Sequence, residues 1–207
     1  IDGVNTYFVS KVAAECGLKV ALSGLGGDEI FQGYPSFEDV PRLVRAGAKF
    51  NHFPVLGRTF RFVSEHIVTR FTSPKYAGVF EYGGTYGGAY LLRRGMFMPW
   101  ELPRIMELEM AKVRWAELKL LSRLEESISG FSSPRLKVSA LELNWYMRNQ
   151  LLRDADWASM AHSLEIRVPF IDLNLIRTLF ALNAGNYSII KSDLAKTVET
   201  PLPPAIS

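Results

Sequence analysis

Cysteine is nearly missing. Cys16 stands alone among 207 residues, so no disulfide can form within the chain, and the expected setting is a reducing compartment. Its neighbours Val12, Ala13 and Gly17 make it a small residue of an apolar helix face rather than a nucleophile. Histidine is also scarce, with three residues, and none has a second His or Cys at metal-ligand spacing: His52 and His66 are unpatterned and His162 is isolated. No apolar run approaches the ~18–20 residues of a membrane span, and no charged stretch followed by an apolar run opens the chain. A net charge of +3 without a dense Lys/Arg run argues against nucleic acid; Arg93-Arg94 and the basic residues of 112–123 read as solvated helix faces.

What is present is an ordinary globular balance, 48% hydrophobic and 22% charged, in a chain long enough for one domain or a large piece of one. Phe8, Val9, Val12, Ala13 and Cys16 recur at helical spacing over 5–16, and Gly17 supplies the stop. Lys19 to Ser23 reads as one short buried strand, followed by a glycine-rich turn and a short helix over Glu29–Gln32. That order is the grammar of a doubly wound α/β unit. Beyond it, strand signals nearly vanish. Ser36 is placed to cap a helix with Asp39 as its reciprocal partner, and Pro41 to bend or restart it. Further helices are expected over 54–70, from Ser73-Pro74, over Tyr86–Arg94, as one or two long helices over 103–129, from Ser133-Pro134 towards Arg153, and after a capping Asp172. Tyr76, Phe80, Tyr82, Tyr86 and Tyr90 fall at helical spacings and read as core.

Two segments carry chemistry. The first runs from Val20 to Tyr34 and contains Ser23-Gly24-Leu25-Gly26-Gly27-Asp28-Glu29. Glycines there let backbone N–H groups approach a ligand closely, the helix start favours anions, and the acidic pair could hold Mg²⁺ on a ligand's phosphates. The plainer alternative is a tight strand-to-helix turn whose Asp28 only caps. The segment is not a Walker loop, a dinucleotide fingerprint or a nucleophile elbow. The second segment, Asp154 to Asp172, gathers His162, Glu165 and Arg167; its plain reading is a buried turn with Glu165 paired to Arg167 and His162 as a satisfied core donor.

Together the segments resemble the synthetase domain of the asparagine synthetase family. Members carry Ser-Gly-x-Gly-Gly/Ser-Asp-Glu-x-Phe-x-Gly-Tyr, matched by Ser23 to Tyr34, and Asp-x-x-Ser-Met-Ala-His-Ser-Leu-Glu-x-Arg-Val-Pro-Phe-x-Asp, matched by Asp156 to Asp172. The lead-in Asp2 to Tyr7 and the tail Leu202-Pro203-Pro204 are similar too. The resemblance implies an α/β fold: a partial adenine-nucleotide alpha-hydrolase-like (ATP pyrophosphatase) domain, with one sheet edge and a mostly helical body. Residues 1–207 are then the C-terminal part of that domain, cut at both ends. It further implies an ATP- and Mg²⁺-using, cytoplasmic amide-forming ligase that adenylates an aspartate-like carboxylate and transfers ammonia from a separate glutaminase domain. Self-association is left open. By position, Ser23 and Gly24 become nucleotide contacts and Asp28 a Mg²⁺ ligand, while Glu165, Arg167 and Asp172 shape the fold around the site. Three departures qualify the match. The Ser-Gly-Gly-x-Asp-Ser pyrophosphate loop and the late Lys-x-Gly-Phe lysine are absent from these residues, and Leu25 stands where the family often has an acid. Without those parts the chain alone is expected to be inactive. Leu25 leaves a lactam or another amide open as the product, and a catalytically inert helical interaction module is the rival from outside enzymology.

Overall fold

The computed structural model describes residues 2–50, 54–68, 73–185 and 189–194. His52 and the Pro201, Pro203 and Pro204 tail therefore lie outside the described residues, as does the side chain of His66. In chain order the elements are α1 (Asp2–Glu15), β1 (Val20–Leu22), α2 (Gly27–Ile30), α3 (Ser36–Gly47), α4 (Pro54–Val68), α5 (Val79–Tyr82), α6 (Tyr86–Arg94), α7 (Leu108–Leu118), α8 (Leu120–Glu126), α9 (Pro134–Leu141), a π-helical stretch (Glu142–Leu151), α10 (Leu152–Met160), β2 (Glu165–Arg167), α11 (Leu173–Ala184) and α12 (Lys191–Leu194). Two compact units result: a sheet unit of residues 1–34 with 142–207, and a helical unit of 35–141. No described helix is long and apolar enough to cross a membrane.

The sheet unit is α/β as expected, but its strand is not alone. β2 pairs in parallel with β1, Val20 against Glu165 and Leu22 against Arg167. Glu165 N donates to Lys19 O at 2.9 Å and Ser23 N to Arg167 O at 2.8 Å, so the ladder reaches beyond both strand ends. The expected buried turn over 165–167 is thus a strand, and its Glu165–Arg167 pair, though formed at 2.9 Å, lies on an exposed surface. The inward face of α1 also differs from expectation. Cys16 is exposed, as are Phe8, Val9 and Val12, while Gly3 and Ser10 are the buried positions. α1 packs on α10 through its small residues: a Cβ at Gly3 would lie 2.8 Å from the Trp157 ring. His162 sets its ring edge-on to Tyr7 at 4.3 Å, and its buried Nε2 has no hydrogen-bond partner among the described residues, so it is not the satisfied donor expected.

The helical unit hides a dense interior of Val40, Ala89, Leu92, Met98, Val138 and Leu141. α3 runs unbroken through Pro41, and the N-cap position falls to Pro35, one residue before the expected Ser36. Gly47 admits the backbone of Gly84, which a Cβ would meet at 2.5 Å. Thr85 caps α6 by accepting from Gly88 N at 3.1 Å. At the far end of α6, Lys75 donates to the carbonyls of Arg93 and Gly95, both at 3.1 Å, placing a cation where the helix dipole favours one. Arg93 binds Asp39 at 3.0 Å and fastens α6 to α3. Of the one or two helices expected over 103–129 the chain forms two, α7 and α8, parted where Lys119 takes the left-handed φ of 46°.

Candidate functional site

β1 delivers the chain to a turn in which each residue has a distinct task. Ser23 Oγ accepts from Leu25 N at 3.3 Å, and Gly24 O accepts from Gly27 N at 3.1 Å, closing the turn on itself. Gly26 has φ of 95°, and a Cβ there would lie 2.6 Å from Ile171 Cδ1; backbone strain and crowding both require glycine. Gly24 is the opposite case. It is exposed, and a Cβ there would meet nothing within 4 Å, so its backbone can be approached closely from outside.

The second segment builds the wall behind this turn. After α10, Ser163 turns the chain at φ of 52° into β2. Pro169–Ile171 then folds over the glycines, and the Phe170 ring meets Phe31 edge-on at 5.7 Å. Asp172 Oδ1 accepts from Asn174 N and Leu175 N, both at 2.9 Å, and so caps α11 as expected. Ile30, Phe31 and Leu179 form the buried cluster beneath, with Leu143, Phe170, Leu175, Ile176, Ile189 and Leu194 packed against it. Residues far apart in sequence thus meet around one turn.

The two neighbouring carboxylates do not converge, contrary to the expected acidic pair. Glu29 turns inward and is 1% exposed; its Oε1 accepts from Tyr34 Oη at 3.0 Å. Burial pushes its carboxyl above the usual carboxylate range, and the nearby Glu142 charge adds to the rise. Burial also pushes the Tyr34 phenol up, reinforced by the Glu29 charge. The Tyr34 ring rests edge-on against Tyr146 at 6.1 Å, and Tyr146 Oη donates to Asp2 Oδ2 at 3.1 Å. The π-helical stretch brings Glu142 near Glu29 and Tyr146 to Tyr34, a recurring use of this rare geometry near functional sites.

Asp28 turns outward instead. It is not a cap: Gly26 occupies the N-cap of α2, and no side chain caps that end. Its carboxylate lies over Gly33, where a Cβ would be 2.0 Å from Oδ1. The bend that brings Gly33 beneath it uses Gln32 at φ of 60° and a bond from Gly33 N to Asp28 O at 2.9 Å. Oδ1 accepts from Lys191 Nζ at 2.7 Å. Gly33 and Lys191 were not singled out by sequence reasoning. The glycine was visible within the first segment, but the lysine lies over 160 residues away without a motif of its own.

A single outward carboxylate is a sparse donor set, and among the described residues no three His, Cys, Asp or Glu side chains converge on a metal position. It suits a Mg²⁺ ion that keeps waters and arrives on substrate phosphates, rather than one held in an all-protein cage. With only four residues, α2 adds little macrodipole to the turn. The backbone of Gly24 and the Asp28 carboxylate are what the turn offers a ligand.

The profile of the asparagine synthase family matches residues 2–192. A protein of Mycobacterium bovis named as a putative glutamine-hydrolysing asparagine synthetase is 28% identical over 185 residues, covering 88% of this chain and 26% of its own length. Proteins of the same name from two Mycobacterium tuberculosis strains match with the same identity and coverage. The chain therefore spans about a quarter of the length of these relatives. No solved structure matches. With the profile matching almost from end to end, and both segments meeting around one turn, the chain belongs to the asparagine synthase family and is a fragment of that kind of protein.

Proposed function

We propose that the turn after β1 is the phosphate-binding side of an adenylating site in an ATP-dependent amide-forming ligase, of which this chain is one part. The observation that carries the reading is the open backbone of Gly24 beside an outward, uncapped Asp28 carboxylate. In this reading Ser23 and Gly24 take the nucleotide near its ribose and phosphates, and Asp28 takes Mg²⁺ on the pyrophosphate side. The metal supplies charge neutralisation for the departing pyrophosphate. An aspartate-like carboxylate oxygen attacks the α-phosphorus, the bond to the pyrophosphate oxygen breaks, and an acyl-adenylate forms. Ammonia released from glutamine then adds to the acyl carbon and loses a proton, and AMP departs with the C–O bond electrons. The rest of the longer protein supplies glutamine hydrolysis and the other phosphate contacts.

Leu25 favours a second product class. Its half-buried apolar side chain stands at a position that the family often fills with an acid, so a lactam or another amide shares the same first half-reaction. Exchange of labelled pyrophosphate into ATP by the full-length protein, with aspartate and then other carboxylates supplied, tests both readings. Carboxylate-dependent exchange is expected, and Asp28→Asn lowers it by about 100-fold, the scale of losing one preorganised charge contact. Absence of exchange with every carboxylate, in a protein shown to bind ATP, sinks the proposal. These 207 residues alone are expected to give none.

A further inference from the structure

Lys191 and Asp28 are held together from both sides. Ile189 and Leu194, which flank Lys191, pack on the cluster of Ile30, Phe31 and Leu179, and Ile30 and Phe31 directly follow the turn that carries Asp28. Asn183 Oδ1 accepts from Ile189 N at 3.1 Å, and Asp193 Oδ2 accepts from Ile190 N at 3.1 Å, fixing the entry to α12. On the other side, Gly33 leaves the space into which the Asp28 carboxylate settles. The 2.7 Å contact is thus anchored at both ends, although the side chains are 62% and 32% exposed. An ion pair this open to water is weak and can be exchanged.

An ammonium and a divalent ion compete for the same carboxylate oxygen, because their mutual repulsion forbids both from sitting on it. We propose that Lys191 is a tethered cation that occupies Asp28 in the metal-free protein, so that a divalent ion must displace it and the lysine sets the concentration at which the site fills. This positioning role rests on the reading of Asp28 as the metal-binding carboxylate. It gives the site a default occupant that prevents an unpaired carboxylate beside buried Glu29, while keeping the metal exchangeable.

The test uses Mn²⁺ alone as a paramagnetic probe of the full ¹⁵N-labelled chain. Loop amides of Gly24, Gly26, Gly27 and Gly33 broaden as the ion binds, and a dispersed spectrum certifies each variant as folded. Lys191→Met is expected to reach half-broadening at roughly five-fold lower Mn²⁺ than the wild type, the scale of an exposed ion pair. Lys191→Gln gives the same direction, Lys191→Arg stays at the wild-type threshold, and Asp28→Asn abolishes loop broadening. If Asp28→Asn abolishes broadening but Lys191→Met and Lys191→Gln bind no tighter than wild type, the tethered-cation role is overturned and the metal reading survives. If no variant shows loop broadening, Lys191→Met included, both are overturned.

Discussion

In the helical unit, Leu92, Val138 and Leu141 have no exposed surface at all, whereas in the sheet unit Phe8, Val9, Val12 and Leu22 stand largely in the open, Leu22 at 75%. The contrast separates two uses of side chains. Large apolar groups sealed by their neighbours supply most of the stability a domain can gain from burial. The sheet unit instead places glycines, short polar groups and carboxylates around one turn, and holds them with a small cluster centred on Ile30, Phe31 and Leu179. A helical unit stabilised by packing tolerates surface change and resists interior change. A turn selected for open backbone reverses the pattern at particular glycines.

The sharpest test removes a sealed side chain. Leu92→Ala in the helical unit should cost about 3 kcal/mol by urea denaturation, as expected for a fully buried leucine, while Leu22→Thr in the sheet unit should stay within about 0.5 kcal/mol. Equal effects would erase the distinction. Next come the glycines of one turn. Gly26→Ala should cost about 2 kcal/mol, because its left-handed backbone and the nearby Ile171 both oppose a methyl group. Gly24→Ala should leave the denaturation midpoint close to wild type and weaken nucleotide binding by the longer protein.

Asp172→Ala comes third, at about 1 kcal/mol for the two amides left without their cap. The smallest effect belongs to the buried acid and depends on pH. Burial raises the Glu29 carboxyl above its ordinary 4.5, so its protonated form is favoured in the folded state. Its stabilising contribution is full below that value and is lost as pH rises through the raised one. Glu29→Gln keeps an acceptor for Tyr34 and removes the titration. Its melting temperature should therefore gain on wild type as pH rises from acid to neutral; a constant difference would show that Glu29 does not titrate differently on folding.

Much of the helical unit was legible because its signals are local. Tyr86–Arg94 and the helix opened by Ser133-Pro134 were read from such signals, and in the sheet unit Asp172 marks the start of α11. The misses arise where the deciding partner is distant. Glu165–Arg167 offers only Ile166 as an apolar residue, too little for alternation to show; β1 makes it a strand by lending its backbone edge. The inward face of α1 was misjudged because apolar periodicity points to Phe8 and Val12, while close approach to α10 selects Gly3 and Ser10. At the candidate site, the order of Ser23, Gly24 and Asp28 could be read from sequence. The divergence of Asp28 from Glu29 could not, because it depends on a turn at Gln32 and on Lys191 arriving from the other end of the chain.

The parallel register of Val20 with Glu165 also orders events in time. Closing so long a loop costs entropy before any ladder bond compensates, and pairings between distant residues make folding slow. The helical unit, whose sequence lies wholly between the two strands, can consolidate during synthesis before Glu165 has emerged. Until then β1 lacks the strand that pairs its edge, which is then open to another nascent chain. The delay in strand pairing therefore sets a window in which the edge that β2 later takes is open to another chain.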